Sequence, residues 1–310
     1  AQSELSGFFD VLSIHNIQEG SPHQFMINQF ELDVSYIHKH NFSVGTALAY
    51  NPNEQNMELA MAFIHYGLDN ASEKHPRREE TYNHTALQIG MFDMPFGLDY
   101  LSYASIDRPT VTQPLVIERT IAGWNDTGID FHHFSENFKI DLWAVNGFDE
   151  GIGFGGNIRY SFFSILELGF SHSSDIVKLK ERKDWLSGFH LQTTIENFNF
   201  KSEYLWMKGV FEGERDTLLV NDIHHGVYFQ LLTDFEEWTA FPVFLTLRYG
   251  AWEAESDRDI DGIDDCEKRY TVSVGYRMDE NITFRGEVVS NIVEDYKKYT
   301  QVFFQLVVAF

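Results

Sequence analysis

The final ten residues, Gln301-Val302-Phe303-Phe304-Gln305-Leu306-Val307-Val308-Ala309-Phe310, constrain this chain more than any other segment. Successive side chains of a strand point to opposite faces, so Val302, Phe304, Leu306, Val308 and Phe310 form one side and Gln301, Phe303, Gln305, Val307 and Ala309 the other. A strand with one fully apolar face on an open edge invites aggregation in water. In lipid the same face is at home, because a strand of about ten residues crosses a bilayer at a tilt. The competing reading is a buried last strand of a soluble sandwich, and the rest of the chain decides against it.

The same period of two recurs along the sequence. Phe30, Leu32, Val34 and Tyr36 alternate with Gln29, Glu31, Asp33 and Ser35. Phe42, Val44, Thr46, Leu48 and Tyr50 alternate with small or polar residues, and Met57, Leu59, Met61 and Phe63 are read as one apolar face against Glu58, Ala60 and Ala62. Leu166-Leu168-Phe170, Val243-Leu245-Leu247-Tyr249, Tyr270-Val272-Val274-Tyr276 and Ile282-Phe284-Gly286-Val288 repeat the pattern. Period two is a strand signal. Composition agrees. Aromatics make up 15% of 310 residues, Phe alone occurring 28 times, while mean hydropathy is only -0.28. No run approaches the ~18 apolar residues of a membrane helix, whereas alternating lipid-facing and wet residues average out in any window.

The connections favour a barrel. Tight ones at His38-Lys39-His40-Asn41, Ser135-Glu136-Asn137, Phe162-Phe163-Ser164, Asn197-Phe198-Asn199 and Asp279-Glu280-Asn281 alternate with longer polar stretches near 147–153, 173–184, 209–222, 253–268 and 291–298. Short then long, repeated, is the pattern of periplasmic turns and extracellular loops. The expected fold is all-β, a single transmembrane antiparallel barrel over residues 1–310 with roughly sixteen strands and both termini periplasmic. A miscounted hairpin near 67–82, where the register demands a long turn, would make the count fourteen or eighteen. Tyr36, Tyr50, Tyr66, Tyr160, Tyr204, Trp206, Tyr249, Trp252, Tyr270, Tyr276 and Tyr299 are candidates for the aromatic girdles at the two lipid–water boundaries.

The longest stretch without alternation runs from about Met94 to Asn125. A structureless segment of this length is usually functional. Phe96, Leu98, Tyr100, Leu101 and Tyr103 suit a barrel wall better than bulk water, so the loop is expected to fold into the lumen; an outward cap or partner-contact loop is the alternative. The C-terminal strand ending on Phe310 resembles the assembly signature of bacterial outer-membrane barrels. With the even strand count and this insertion, the chain resembles a bacterial outer-membrane porin. Gly90-Met91-Phe92-Asp93-Met94-Pro95-Phe96-Gly97 and Ser105-Ile106-Asp107-Arg108-Pro109 are similar to segments of proteobacterial porins. That resemblance implies an extracellular third loop narrowing the pore after the fifth strand, and Phe310 as the signal read by the barrel-assembly machinery.

Charges on the loop and the polar strand faces then become candidate constriction residues. The loop offers Asp99, Asp107, Glu118 and Asp126 with Arg108 and Arg119; the wall offers Arg159, Lys201, Arg248, Arg277 and Arg285. Acid facing base across a narrow, low-dielectric passage sets up a transverse field that orients solutes and sorts ions. Mutual pairing that merely makes buried charge tolerable is the alternative, and the two are compatible. The formal net charge of -24 argues against nucleic acid as a partner and for a modest cation preference.

Other motifs are weaker. Asp257, Asp259, Asp261 and Asp265 in Asp257-Arg258-Asp259-Ile260-Asp261-Gly262-Ile263-Asp264-Asp265 have the spacing of a calcium loop, although Lys268 stands where such a loop carries its Glu. Calcium is thus the one candidate cofactor, against a solvated acidic loop. His132-His133 and His224-His225 point to opposite faces if on strands, and His38 and His40 lie at a turn, so none makes a good chelate. Gly147, Gly151, Gly153, Gly155 and Gly156 precede no helix and do not form a dinucleotide loop. No Gly-x-Ser-x-Gly nucleophile motif appears, so no enzyme is expected. The lone Cys266 allows no intramolecular disulfide. A start at Ala1-Gln2 without an apolar leader is what a chain matured from a signal peptide would show. The sequence therefore predicts an outer-membrane channel for passive diffusion of ions and small hydrophilic solutes. Its partners would be the lipid bilayer, lipopolysaccharide and, as a homotrimer, its own copies. The alternative is a structural or interaction barrel without open transport.

Overall fold

The computed structural model describes residues 2–17, 24–38, 41–52, 55–68, 84–102, 104–121, 123–147, 151–163, 165–177, 182–208, 223–255, 265–293 and 297–310. The strands are β1 (Gln2–Asn16), β2 (Gln24–Ile37), β3 (Phe42–Asn51), β4 (Asn56–Gly67), β5 (His84–Asp93), β6 (Asn125–Phe134), β7 (Phe138–Val145) and β8 (Ile152–Phe162), followed by β9 (Leu166–Val177), β10 (Arg182–Ile195), β11 (Phe198–Lys208), β12 (Ile223–Asp234), β13 (Val243–Glu255), β14 (Asp265–Arg277), β15 (Ile282–Val293) and β16 (Lys297–Ala309). Each pairs antiparallel with its chain neighbours, and β1 pairs with β16, so sixteen strands close into one barrel. Closure leaves no sheet edge, the condition for a sheet to sit in hydrocarbon.

The seam shows how closure is achieved. β1 and β16 pair from Phe8 opposite Ala309 to Asn16 opposite Gln301. Phe310 continues the ladder by donating its N–H to Gly7 O and accepting from Gly7 N, both at 3.0 Å. The ring of Phe310 points outward, 55% exposed, whereas Phe303, Gln305 and Val307 point inward and are buried. The same division holds elsewhere: Val272, Val274, Phe284 and Val288 face outward, and Thr271, Ser273 and Glu287 face the lumen. The outer surface is apolar, the arrangement lipid demands, while inward-facing polar residues share the interior with an apolar cluster that includes Phe96, Trp143, Leu186 and Leu205.

The structure corrects the sequence expectations in three places. Ala47 pairs with Met61 but Leu48 pairs with Leu59, so a bulge at Ala60 shifts the register. Met57 and Leu59 therefore face outward while Met61 and Phe63 turn into the lumen, because one extra residue reverses the face of all that follow. Second, Trp252 and Tyr299 are not girdle residues. Trp252 is buried inside and stacks on His224 at 5.8 Å, and Tyr299, in register with buried Asn291, stands by Glu267 and Arg269. Tyr36, Tyr66, Tyr160, Tyr204, Tyr270 and Tyr276 are exposed on the outer surface as expected. Third, the 173–184 and 291–298 stretches are mostly strand, β9 running to Val177 with β10 starting at Arg182, and β15 running to Val293 with β16 starting at Lys297. A ladder is held by backbone hydrogen bonds, so it continues past the apolar band where side chains are polar on both faces.

Candidate functional site

The long connection enters the lumen. Met94 N still donates to Trp124 O at 3.0 Å, but Pro95 has no N–H to continue the ladder and β5 stops. Gly97 follows at φ +71°, a left-handed conformation glycine adopts without strain. Its N–H donates to Ser171 Oγ at 2.9 Å, and its carbonyl accepts from Asn157 Nδ2 at 3.2 Å. A Cβ here would collide with Oε1 of the fully buried Glu203. Next come a 3-10 turn at Asp99–Ser102 and a one-turn helix, α1 (Leu115–Glu118), led by Pro114. Leu115, Val116 and Ile117 are all buried. Gly226 and Gly250 on the wall let α1 come close, since a Cβ at either would lie 2.9 Å from Val116 and 3.3 Å from Leu115.

Polar anchors hold the rest of the loop to β13–β16. Glu287, 1% exposed, accepts from Val111 N at 2.7 Å, Thr112 N at 3.0 Å and Thr112 Oγ1 at 2.5 Å. Arg248 donates to Thr110 Oγ1, Thr112 O and Thr112 Oγ1 at 2.8–3.0 Å. Arg285 donates to Ser105 O at 2.6 Å and to Gln305 Oε1 at 2.9 Å. Arg119 pairs with Glu267 at 2.5 Å, and Arg269 with Glu118 at 2.6 Å. Burial opposes the charge on Arg119, but the hydrogen bond and charge of Glu267 outweigh it and hold the guanidinium above its ordinary range. On the opposite flank Arg159 donates to Tyr100 Oη at 2.8 Å and lies 3.8 Å from Asp141.

The candidate residues thus divide. Arg159, Arg248 and Arg285, with Glu118 and Arg119, clamp loop to wall; buried Arg108 lies beside Arg248 and Gln230. Asp99 accepts from Ser102 Oγ at 3.1 Å and stands by Glu203 and Tyr228 on the packed side of the loop. Lys201 sits on the inner wall two residues from Glu203, opposite Gln230. Asp126 is taken up at its own strand end, accepting from Thr127 N and Gly147 N. Arg277 is remote, paired with Asp234 at 2.6 Å near the 235–242 turn. Asp257, Asp259 and Asp261 lie outside the described residues, as does the side chain of Asp265, whose backbone opens β14.

Because the loop is drawn to one wall, a passage of about 1020 Å³ remains on the other side, against β1–β7. Its lining runs from Asn51 and Pro52 at one end of the barrel to Phe134 and Ala309 at the other. Glu31, Asp33, Glu58, Asp93, Asp107, Asp130 and Asp141 line it; among the described residues no Lys or Arg does. Of the candidates proposed from sequence, only Asp107 faces this space. Glu287 was placed on the polar face of β15 without a role, and Glu267, Arg269 and Glu203 were missed, although continuing the alternation of β14 one or two pairs outward would have marked Glu267 and Arg269 as inward-facing.

No protein-family model matches the chain, and no curated protein sequence does. Solved structures do. The chain superposes on an anion-selective porin from Comamonas acidovorans with a TM-score of 0.69 at 11% identity, covering 100% of this chain and 99% of that one. Salmonella typhi OmpF, in complex with daunomycin, gives 0.68 at 11% identity over 99% and 97%. The trimer form of OmpT, an outer membrane protein of Vibrio cholerae, gives 0.68 at 10% identity over 100% and 99%. At this identity the likeness speaks for architecture alone: the chain has the closed sixteen-stranded antiparallel fold of outer-membrane β-barrels, porins among them.

Proposed function

We propose that this protein is an outer-membrane porin: a water-filled channel through which ions and small hydrophilic solutes diffuse, with a modest preference for cations. The observation that carries the reading is the passage beside the anchored loop, running along the barrel and lined by seven carboxylates and, among the described residues, by no Lys or Arg. The transverse field expected from sequence is, on this reading, changed in kind, because Arg159, Arg248 and Arg285 bond to the loop while the open side carries the carboxylates. One carboxylate several Å from the ion path biases entry by about 1–2 kcal/mol at an intermediate dielectric, less at physiological salt. On this reading the tight turns and both termini face the periplasm, and the loop ends face outward toward lipopolysaccharide. The trimer form of the Vibrio cholerae barrel supports a homotrimer here.

Planar-bilayer recording under a salt gradient tests this. We expect steady ohmic current with a cation-selective reversal potential. Asp33→Asn with Glu58→Gln should move that potential toward anions. A barrel that inserts and carries no current would instead support the structural or interaction reading.

A further inference from the structure

Three histidines far apart in sequence meet on the lumen wall. His65 on β4, His84 on β5 and His132 on β6 occupy three consecutive antiparallel strands and share the inner face. Ala86, opposite His132 in register, places only a methyl group between β4 and β6, so the outer two rings approach across β5. His65 Nε2 lies 3.2 Å from His132 Nε2 and 3.4 Å from His84 Nε2. The three ligand nitrogens all fall within 4.8 Å of one another. His65 and His132 are buried, His84 half-buried.

Hydrogen bonding alone accounts poorly for this convergence. His132 Nδ1 faces Asp130 Oδ2 at 3.1 Å, which fixes the proton on Nδ1 and leaves Nε2 a bare lone pair. His65 Nε2 carries at most one hydrogen, yet faces two nitrogens. A cation resolves the arrangement by accepting all three lone pairs. A tetrahedral ion with metal–nitrogen bonds of about 2.0–2.1 Å sets its ligand nitrogens about 3.3–3.4 Å apart, close to the separation of His65 Nε2 from each of the other two. The carboxylate behind His132 is the usual outer partner of a metal-bound imidazole, orienting the ring and raising its basicity. Asp141 belongs to the same buried group as Asp130 and His132, adding negative charge near a dication.

We propose that His65, His84 and His132 form a binding site for a first-row divalent metal of the zinc class, with Asp130 as the positioning residue for His132. Three imidazoles and no thiolate suit such an ion and exclude calcium and magnesium as occupants. The fourth coordination position is left for water or a passing solute, because His132 and Asp130 line the open passage. The site is independent of the acidic 257–265 loop and of whether the barrel conducts.

The test is a zinc titration of the full chain in detergent, without a histidine tag, against a chromophoric chelator at neutral pH. We expect one zinc ion per chain to be lost in His65→Ala/His132→Ala, undiminished by excess magnesium. Asp130→Asn, with all three ligands intact, should weaken zinc about 10–100-fold without changing stoichiometry. Heat-modifiable gel migration reports folding of each variant, and His84→Ala, whose ring is half-buried, substitutes if the double variant does not fold. Cobalt in place of zinc should give the visible ligand-field bands of a four-coordinate ion, absent in the variant. Zinc bound equally by wild type and the folded variant would overturn the proposal.

Discussion

Glu287→Gln isolates what holds the loop against the wall. Oε1 of Glu287 accepts both the N–H and the hydroxyl of Thr112, and Oε2 accepts the N–H of Val111. Glutamine keeps the shape but has one acceptor oxygen. With that oxygen on Thr112, its NH2 group faces the Val111 N–H, and a donor on a residue only 4% exposed loses its acceptor. An unpaired buried donor costs about 1–3 kcal/mol. The two surviving bonds lose the charge that made them roughly twice as strong as neutral ones, about 1 kcal/mol each. The sum is about 3–5 kcal/mol, and even its lower end shifts the docked-to-open ratio roughly 100-fold. Helix α1 should stay in place, since burying Leu115, Val116 and Ile117 contributes about 1.5–3 kcal/mol each and the substitution touches none of them. Loosening is therefore expected only around residues 105–113. Hydrogen exchange reads this directly: the Val111 and Thr112 amides should lose about 100-fold of their protection while the amides of α1 keep theirs, and single-channel current should flicker toward a larger level. Unchanged exchange at these two amides would refute the reasoning and leave apolar packing as the sole anchor.

Phe310→Ala keeps the reciprocal backbone bonds to Gly7 but removes the outward ring from the β1–β16 seam; we expect slower membrane insertion than any surface-loop deletion causes, measured by folded yield on gels, and normal assembly would discount the ring as a signal. If Asp257, Asp259 and Asp261 bind calcium, calcium should protect the 253–268 segment from proteolysis and Asp259→Asn/Asp261→Asn should abolish that protection. Identical cleavage in calcium and in chelator would leave a solvated acidic loop.

Much of this architecture was legible in the residues themselves. Alternation is a local property, and it set the strands, their lipid-facing sides, their even number and the one insertion long enough to enter the barrel. Pro95 and Gly97 stop the ladder for reasons confined to two residues, although only the loss of alternation near Met94 was read from the sequence. The bulge at Ala60 was not legible, because an extra residue in a pleat is visible only against the partner strand, and Met61 and Phe63 consequently faced the unexpected side. Nor could the sequence distribute the charges. Arg248, Arg285 and Glu287 were plainly polar-face residues, but whether each lines an open path or grips a loop depends on where a segment some 140–180 residues away comes to rest. His65, His84 and His132 show the same limit. His132 was judged a poor ligand beside His133, His65 and His84 were not singled out, and only cross-strand register, which places residues up to 67 positions apart side by side, brings His65 Nε2 to 3.2 and 3.4 Å from the other two. The sequence thus determined a membrane barrel with an infolded loop, since hydrophobic period and backbone chemistry act locally. Tertiary structure alone decided which side of that loop stays open, because that choice is made by hydrogen bonds and packing between segments the chain keeps apart.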